Sequence, residues 1–303
     1  MAVWHRVGVS TAWFESPGDV AAALARVGYL ADTTTATTVF LAGALQRPIL
    51  VEGPAGVGKT ELAKSVAAAT EAELVRLQCY EGLDEARALY EWNYRKQLLR
   101  IQASVATDPG GSAWEQTHDD IFTEEFLLTR PLLTAIRRDD PTVLLIDEAD
   151  KTDVEVEALL LEVLAEFQVT IPELGTVRAT RRPFVLITSN ATRELSEALK
   201  RRCLYLYLDY PSAERERDIV LSRVPGIRHE LAEELVRTAA TLRTLELKKS
   251  PSVAETIDWA QTLLALGIEQ LDEAATRSTL GVVLKHASDH ARAIKELGLP
   301  AGE

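Results

Sequence analysis

The densest concentration of chemistry in the chain is Gly53-Pro54-Ala55-Gly56-Val57-Gly58-Lys59-Thr60, followed by Glu61. It fits the pattern G-x-x-x-x-G-K-[ST], in which each residue type answers a physical need. Glycines at 53, 56 and 58 let the backbone curl until its N–H groups point inward at phosphate oxygens. Lys59 can reach the β- and γ-phosphates, and the Thr60 hydroxyl can ligate Mg²⁺. The motif carries meaning only between a strand and a helix, because the helix N-terminus adds positive partial charge at the anion. Both flanks are present. Residues 48–52, Pro-Ile-Leu-Val-Glu, form a short apolar run bounded by a turn, and residues 61–70 read as an Ala-rich helix.

A second group lies in Val143-Leu-Leu-Ile-Asp-Glu-Ala-Asp150. An apolar strand that delivers two acids at its end is what phosphoryl transfer needs. Asp147 would hold Mg²⁺, generally through water, and Glu148 would orient or deprotonate the attacking water. An apolar run before Asp-Glu is commonplace by itself, since acids cap helices well. Downstream of a phosphate loop it becomes specific.

The rest of the chain must supply the elements that hold these groups. Residues 20–29 and 33–45 read as two opening helices, the first announced by Ser16-Pro17-Gly18-Asp19. Residues 73–80 read as a strand, 84–106 as one helix ending in a flexible tip at Asp108-Pro-Gly-Gly-Ser112, and 122–138 as another helix. A strand follows at 142–146, then a helix at 153–167 with Leu159, Leu160, Val163 and Leu164 facing inward. Residues 168–171 and 176–179 flank Pro172-Glu-Leu-Gly175 as a hairpin, and 184–187 and 204–208 are further strands. Strands alternating with helices predict an α/β fold, a parallel sheet flanked by helices, over residues 1–210. Past Tyr210-Pro211 the strand signal ends. Residues 211–303 are expected to form a smaller all-helical domain, broken at Pro225-Gly226 and Ser250-Pro251.

Composition bounds the function. Of 303 residues, 47% are hydrophobic and 26% charged, enough apolar surface for a buried core. No apolar run approaches the roughly 20 residues that span a bilayer. The opening Met1-Ala-Val-Trp-His-Arg6 lacks the apolar stretch of a secretory signal, so a cytoplasmic location is expected. Lys and Arg total 33 against 46 Asp and Glu, and the resulting charge of −13 opposes non-specific attraction to DNA or anionic lipid. Cys79 and Cys203 are too few for a disulfide scaffold or a zinc cluster, although the arginines beside Cys203 would lower its thiol pKa. His286 and His290 are spaced for one helix face, but with no third ligand nearby they read as solvated.

The two phosphate-site motifs do not stand alone. Leu77-Gln-Cys-Tyr-Glu-Gly-Leu-Asp84, Glu166-Phe-Gln-Val-Thr-Ile-Pro-Glu-Leu-Gly175, Leu186-Ile-Thr-Ser-Asn190 and Glu197-Ala-Leu-Lys-Arg-Arg-Cys203 accompany them. In this combination, over nearly its whole length, the chain resembles the MoxR family of AAA+ ATPases, most of all the branch typified by CoxD. The resemblance implies an AAA+ fold with a helical lid, Mg²⁺-dependent ATP hydrolysis and a hexameric homo-oligomeric ring. Asn190 would be sensor 1, hydrogen-bonding the γ-phosphate or the attacking water; the other reading is an N-cap for a helix at 191–199. Arg201 and Arg202 stand where the family carries an arginine finger that reaches a neighbouring subunit. Arg202 is favoured because the family's pattern puts the finger directly before an apolar residue, here Cys203. A guanidinium suits that role because it stays charged and spans two phosphate oxygens. The bland alternative is a solvated basic face beside Lys200. The hairpin around residues 172–175, and parts of 83–133, correspond to insertions that face the pore or substrate in related rings. One departure stands out: family members often carry Ser-Pro-Arg at sensor 2, but this chain has Lys249-Ser-Pro-Ser252. Either Lys248 or Lys249 replaces the arginine, or sensor 2 is absent.

The resemblance implies an ATP-driven remodelling chaperone for a protein client. The implied task is assembly of a complex or maturation of a metalloenzyme of the carbon monoxide dehydrogenase, molybdenum hydroxylase type, often with a von Willebrand factor A-domain partner. A DNA-directed AAA+ motor or loader is the competing reading, against which the −13 charge and the lack of a basic tract both count. A small-molecule kinase would need neither the paired arginines nor a helical lid.

Overall fold

The computed structural model describes residues 13–107 and 121–298. The opening residues 1–6 and the tip at 108–112 lie outside them. In chain order the helices are α1 (Pro17–Arg26), α2 (Thr33–Leu45), α3 (Lys59–Ala69), α4 (Glu85–Ala88), α5 (Tyr94–Thr107), α6 (Pro131–Arg137) and α7 (Val154–Glu166). They continue with α8 (Glu197–Arg202), α9 (Ala213–Arg223), α10 (His229–Thr244), α11 (Val253–Ala265), α12 (Glu273–Thr279) and α13 (Ala287–Glu296). The strands are β1 (Ile49–Glu52), β2 (Glu73–Gln78), β3 (Tyr90–Trp92), β4 (Leu127–Thr129), β5 (Thr142–Asp147), β6 (Gln168–Ile171), β7 (Gly175–Arg178), β8 (Phe184–Ser189) and β9 (Leu204–Tyr207).

Five strands form one sheet in the order β2-β5-β8-β1-β9. The central pairings of β5 with β2 and with β8 are parallel, and every residue of β5 and β8 is buried, as strands covered on both faces should be. The register sets Gln78 opposite Asp147, which brings two polar side chains together at the end of this strand pair. The expected hairpin is β6 with β7, paired antiparallel from Gln168↔Arg178 to Ile171↔Gly175.

Two stretches expected as single helices are not. In 84–106, Asp84 caps the short α4 by accepting from Arg87 N, and the chain then extends as β3 before α5 begins. In 122–138, a 3-10 turn at Glu124–Phe126 leads into β4, and α6 starts only at Pro131. β3 and β4 pair antiparallel, Tyr90↔Thr129 to Trp92↔Leu127, while the buried Trp92 packs edge-on against Phe122 with centroids 5.3 Å apart. Pairing between distant segments overrides the local helical pattern here. Pro131 makes a natural start for α6, since the first turn of a helix has no use for its missing N–H.

The described residues cluster into two compact units. One draws on residues 13–23, 31–51, 66–107 and 121–206, the other on 24–30, 52–65 and 207–298. In the first, Leu144, Ile146, Val185 and Ile187 of the sheet share a core with Leu160, Val163 and Leu164 of α7. In the second, Leu235, Leu242, Trp259 and Leu263 form a helical core, and the Trp259 indole N–H donates to Thr279 Oγ1 at 2.7 Å. That bond lets a tryptophan be fully buried without an unsatisfied donor. Among the described residues no helix is long and apolar enough to cross a membrane.

Candidate nucleotide site

The glycine loop has the flanks its chemistry requires: β1 ends at Glu52 and α3 begins at Lys59. Gly53, Gly56 and Gly58 hold φ of 149°, 74° and 99°, a region that L side chains rarely enter. Space excludes a side chain at two of them as well. A Cβ on Gly53 would lie 1.9 Å from the Leu208 carbonyl oxygen, and one on Gly56 would lie 2.3 Å from Ser252 Oγ. Gly53→Ala is therefore expected to cost at least about 1–3 kcal/mol from backbone strain alone. Urea unfolding would show this as a lowered midpoint, and nucleotide binding would be lost with it.

Lys59 is 7% exposed, and its ammonium donates to the Gly53 and Pro54 carbonyls at 2.7 Å each. The cation thus sits in the curl of its own loop. Ala55 and Gly56 are exposed at the loop's mouth, Pro54, Val57 and Gly58 are half-buried, and Thr60 lies in the first turn of α3. Glu61 is ion-paired with Arg223 of α9, so its carboxylate is already engaged. The Gly56 carbonyl accepts from Ala254 N at 3.2 Å, which ties the loop to the start of α11. Curled glycines, a lysine within the curl and a hydroxyl on the first helical turn suit a nucleotide's phosphates. Hydroxyl and carboxylate oxygens are the hard ligands Mg²⁺ prefers.

The acidic pair lies at the end of β5. Asp147 is 2% exposed and both of its oxygens are held: Oδ1 accepts from Thr188 Oγ1 at 2.6 Å, and Oδ2 accepts from the Arg76 guanidinium at 2.5 and 3.0 Å. Glu148 follows with a left-handed backbone, φ 59°, and its N–H donates to the same Thr188 hydroxyl at 2.9 Å. A non-glycine residue at that torsion is strained, and such strain gathers at functional sites. The Glu148 carboxylate accepts from Gln78 Nε2 at 2.8 Å and Lys151 Nζ at 2.7 Å. Arg76 also donates to the Gln78 side-chain oxygen, so one chain of polar contacts runs from Asp147 through Arg76 and Gln78 to Glu148. Sequence reasoning missed Arg76, Gln78, Lys151 and Thr188. Arg76 and Gln78 sit two apart on β2, hence on one face of it, and that spacing was the available signal.

Asn190 follows the last residue of β8 and does not cap a helix. The helix expected from 191 starts instead at Glu197, with Ser196 as its N-cap. The intervening segment is held by the buried Asp150, which accepts from Asn190 N at 3.2 Å, Thr192 N at 3.1 Å and Thr192 Oγ1 at 2.5 Å. These bonds supply the reason: a carboxylate on the neighbouring strand's exit competes for the backbone donors that an early helix would use. Burial works to raise the Asp150 pKa, but the hydrogen bonds outweigh it and hold the group below its ordinary value. Glu157 behaves alike, with burial opposed by bonds from Ser196 N and Arg193. A depressed carboxyl contributes stability that is full above its unfolded pKa, about 4, and is lost as pH falls through the folded value. Thermal melts should therefore show a falling midpoint below about pH 4, and a smaller fall in an Asp150→Asn variant.

Arg201 and Arg202 close α8, both exposed, and neither guanidinium has a hydrogen-bond or ion-pair partner among the described residues. Where sensor 2 was expected, Ser252 forms a capping box with Glu255 at the start of α11, and its Oγ is the atom against Gly56. Lys249 Nζ pairs with Glu255 at 2.7 Å, while the backbone N–H groups of Lys248 and Lys249 donate to Asp289. Cys203 shows the opposite of the expected thiol shift. Burial pushes it up to about 12, and the cation that opposes burial is Arg47, not its arginine neighbours in sequence. Burial likewise raises Cys79 to about 12. Neither thiol should react with iodoacetamide at pH 8 until the chain is unfolded. His290 Nε2 lies 2.9 Å from the Leu284 carbonyl, and no cluster of metal-binding side chains occurs among the described residues.

A largely parallel sheet that leads into a glycine loop and carries an acidic pair defines the class, the P-loop nucleoside triphosphatases. Residues 48–203, more than half of the chain, match the family model described as AAA domain (dynein-related subfamily), and the chain belongs to that family. Membership implies ATPase activity at the level of the family. A protein of Staphylococcus haemolyticus, described as uncharacterised, is 24% identical over 237 residues, 75% of this chain and 81% of its own length. The chaperone protein ClpB of Chlamydia pneumoniae is 26% identical over 195 residues, 63% of this chain but only 19% of ClpB. Among solved structures, the RuvB Holliday junction branch migration motor of Thermotoga maritima is similar with a TM-score of 0.43 at 17% identity, covering 87% of this chain and 67% of RuvB.

Proposed function

We propose that this chain binds Mg²⁺–ATP at residues 53–61 and hydrolyses it, working as a ring of identical subunits that remodels a protein client. The observation that carries the reading is Glu148, held in a strained backbone beside Asp147 with its carboxylate on two donors. A protein that only stored nucleotide would need no carboxylate there.

Thr60 and Asp147 would hold the Mg²⁺, which when bound neutralises developing charge on the phosphates. The backbone N–H groups of Gly53 to Gly58 and the Lys59 ammonium bind the phosphate chain. Glu148, once released by Gln78 and Lys151, takes the proton of the attacking water. Asn190 orients that water or the γ-phosphate, and Arg202 with Arg201 reaches the γ-phosphate of the neighbouring subunit. Residues 1–210 act as the nucleotide-binding domain and 211–303 as the lid. Without a sensor 2 arginine, Ser252 on the loop and Lys249 on Glu255 mark where lid and nucleotide communicate.

The likeness to Clp chaperones supports remodelling. The MoxR resemblance, strongest toward the CoxD-like branch, supports a cytoplasmic hexamer that matures a metalloenzyme of the carbon monoxide dehydrogenase type, with an A-domain partner. Phosphate release measured across a protein concentration series tests the core of this: specific activity should require Mg²⁺ and rise with concentration. Duplex DNA should not stimulate it, given the −13 charge. Steep salt-dependent DNA stimulation would instead favour a DNA motor.

A further inference from the structure

The arginine pair ends a helix of six residues, too short to hold its direction alone. Its N-terminal end is anchored: Ser196 caps it and donates its own N–H to Glu157 at 2.9 Å. The C-terminal end is gripped by Arg47. One guanidinium nitrogen donates to the carbonyls of Arg201 at 2.7 Å and Cys203 at 3.2 Å, and Nε donates to the carbonyl of Arg202 at 3.2 Å. The next residue continues the grip, with Leu204 N donating to the Pro48 carbonyl at 2.8 Å.

The last carbonyls of a helix have no partners within it, and a cation there is favoured by the helix dipole. The guanidinium spreads its donors over two nitrogens in a fixed fork that spans the three carbonyls, a reach that the single nitrogen of a lysine does not reproduce. Arg47 is itself exposed, so core packing does not explain it.

We propose that Arg47 is the positioning residue for the arginine pair: it fixes the backbone at 201–203 and thereby aims Arg201 and Arg202 toward the neighbouring subunit. This rests on the reading of that pair as a finger acting between subunits. A loosened finger misplaced by about 1 Å is expected to lose up to about 10²-fold in rate. The defect belongs to the neighbour's site, because each subunit's own nucleotide site is intact.

The experiment is complementation in co-expressed, mixed rings. Arg47→Ala subunits have an intact nucleotide site and a loose finger, while Lys59→Ala subunits have no working nucleotide site and an intact finger. Arg47→Ala alone should lose about 10–10²-fold in hydrolysis with its affinity for a fluorescent ATP analogue unchanged, and Arg47→Lys should fall nearly as far. Mixing Arg47→Ala with Lys59→Ala should raise activity above the sum of the two alone. Arg202→Ala mixed with Lys59→Ala is the control. If the control recovers and the Arg47→Ala mixture does not, the role of Arg47 is overturned and the finger stands. If neither recovers, the finger reading fails and this inference with it. Lost nucleotide affinity in both Arg47 variants would make Arg47 a general structural residue and would also overturn the proposal.

Discussion

Replacing Glu148 by Gln is expected to lower ATP hydrolysis by about 10²–10⁴-fold while nucleotide binding persists. The substitution keeps the shape of the side chain and an oxygen that can still accept from Gln78 or Lys151. It removes the group that can take a proton. The strained backbone at this position depends on the bond from its N–H to Thr188, which a side-chain change does not touch. Asp147 keeps its bonds to Thr188 and Arg76. Single-turnover phosphate release, measured beside binding of a fluorescent ATP analogue, separates the two effects. A rate within about threefold of the unaltered chain, with binding intact, would place the base elsewhere.

Arg202→Ala should reduce hydrolysis by about 10³–10⁵-fold, the larger of the two losses if the finger acts fully. Its guanidinium is exposed, without a described partner, at the end of a helix held at both ends. Other arginines have committed side chains: Arg76 to Asp147, Arg193 to Glu157, Arg223 to Glu61. An uncommitted guanidinium can reach a neighbouring phosphate without first breaking a bond of its own. The loss should therefore come with disappearance of the concentration dependence of specific activity. Arg201→Ala should have the smaller effect. An active Arg202→Ala protein with a flat concentration profile would refute action between subunits and point to a P-loop enzyme that works as a monomer.

The amino-acid sequence alone located the glycine loop between its strand and its helix, because the properties that single it out are local. Three glycines, a lysine and a hydroxyl act through consecutive backbone torsions, and the strand before and helix after are set by short-range patterning. The same holds for β5 and its two acids, and for the helical stretch beyond residue 210. What sequence could not show depends on partners far apart in the chain. Arg47 meets Arg201 across 154 residues, and Arg76 meets Asp147 across 71. β3 and β4 form only because each supplies the other's hydrogen bonds, so local periodicity read both segments as helix. The region after Asn190 was misread for the same reason, since Asp150 takes its backbone donors. Periodicity reports how one segment can bury its own face. Only the tertiary structure decides which distant donor or acceptor satisfies it.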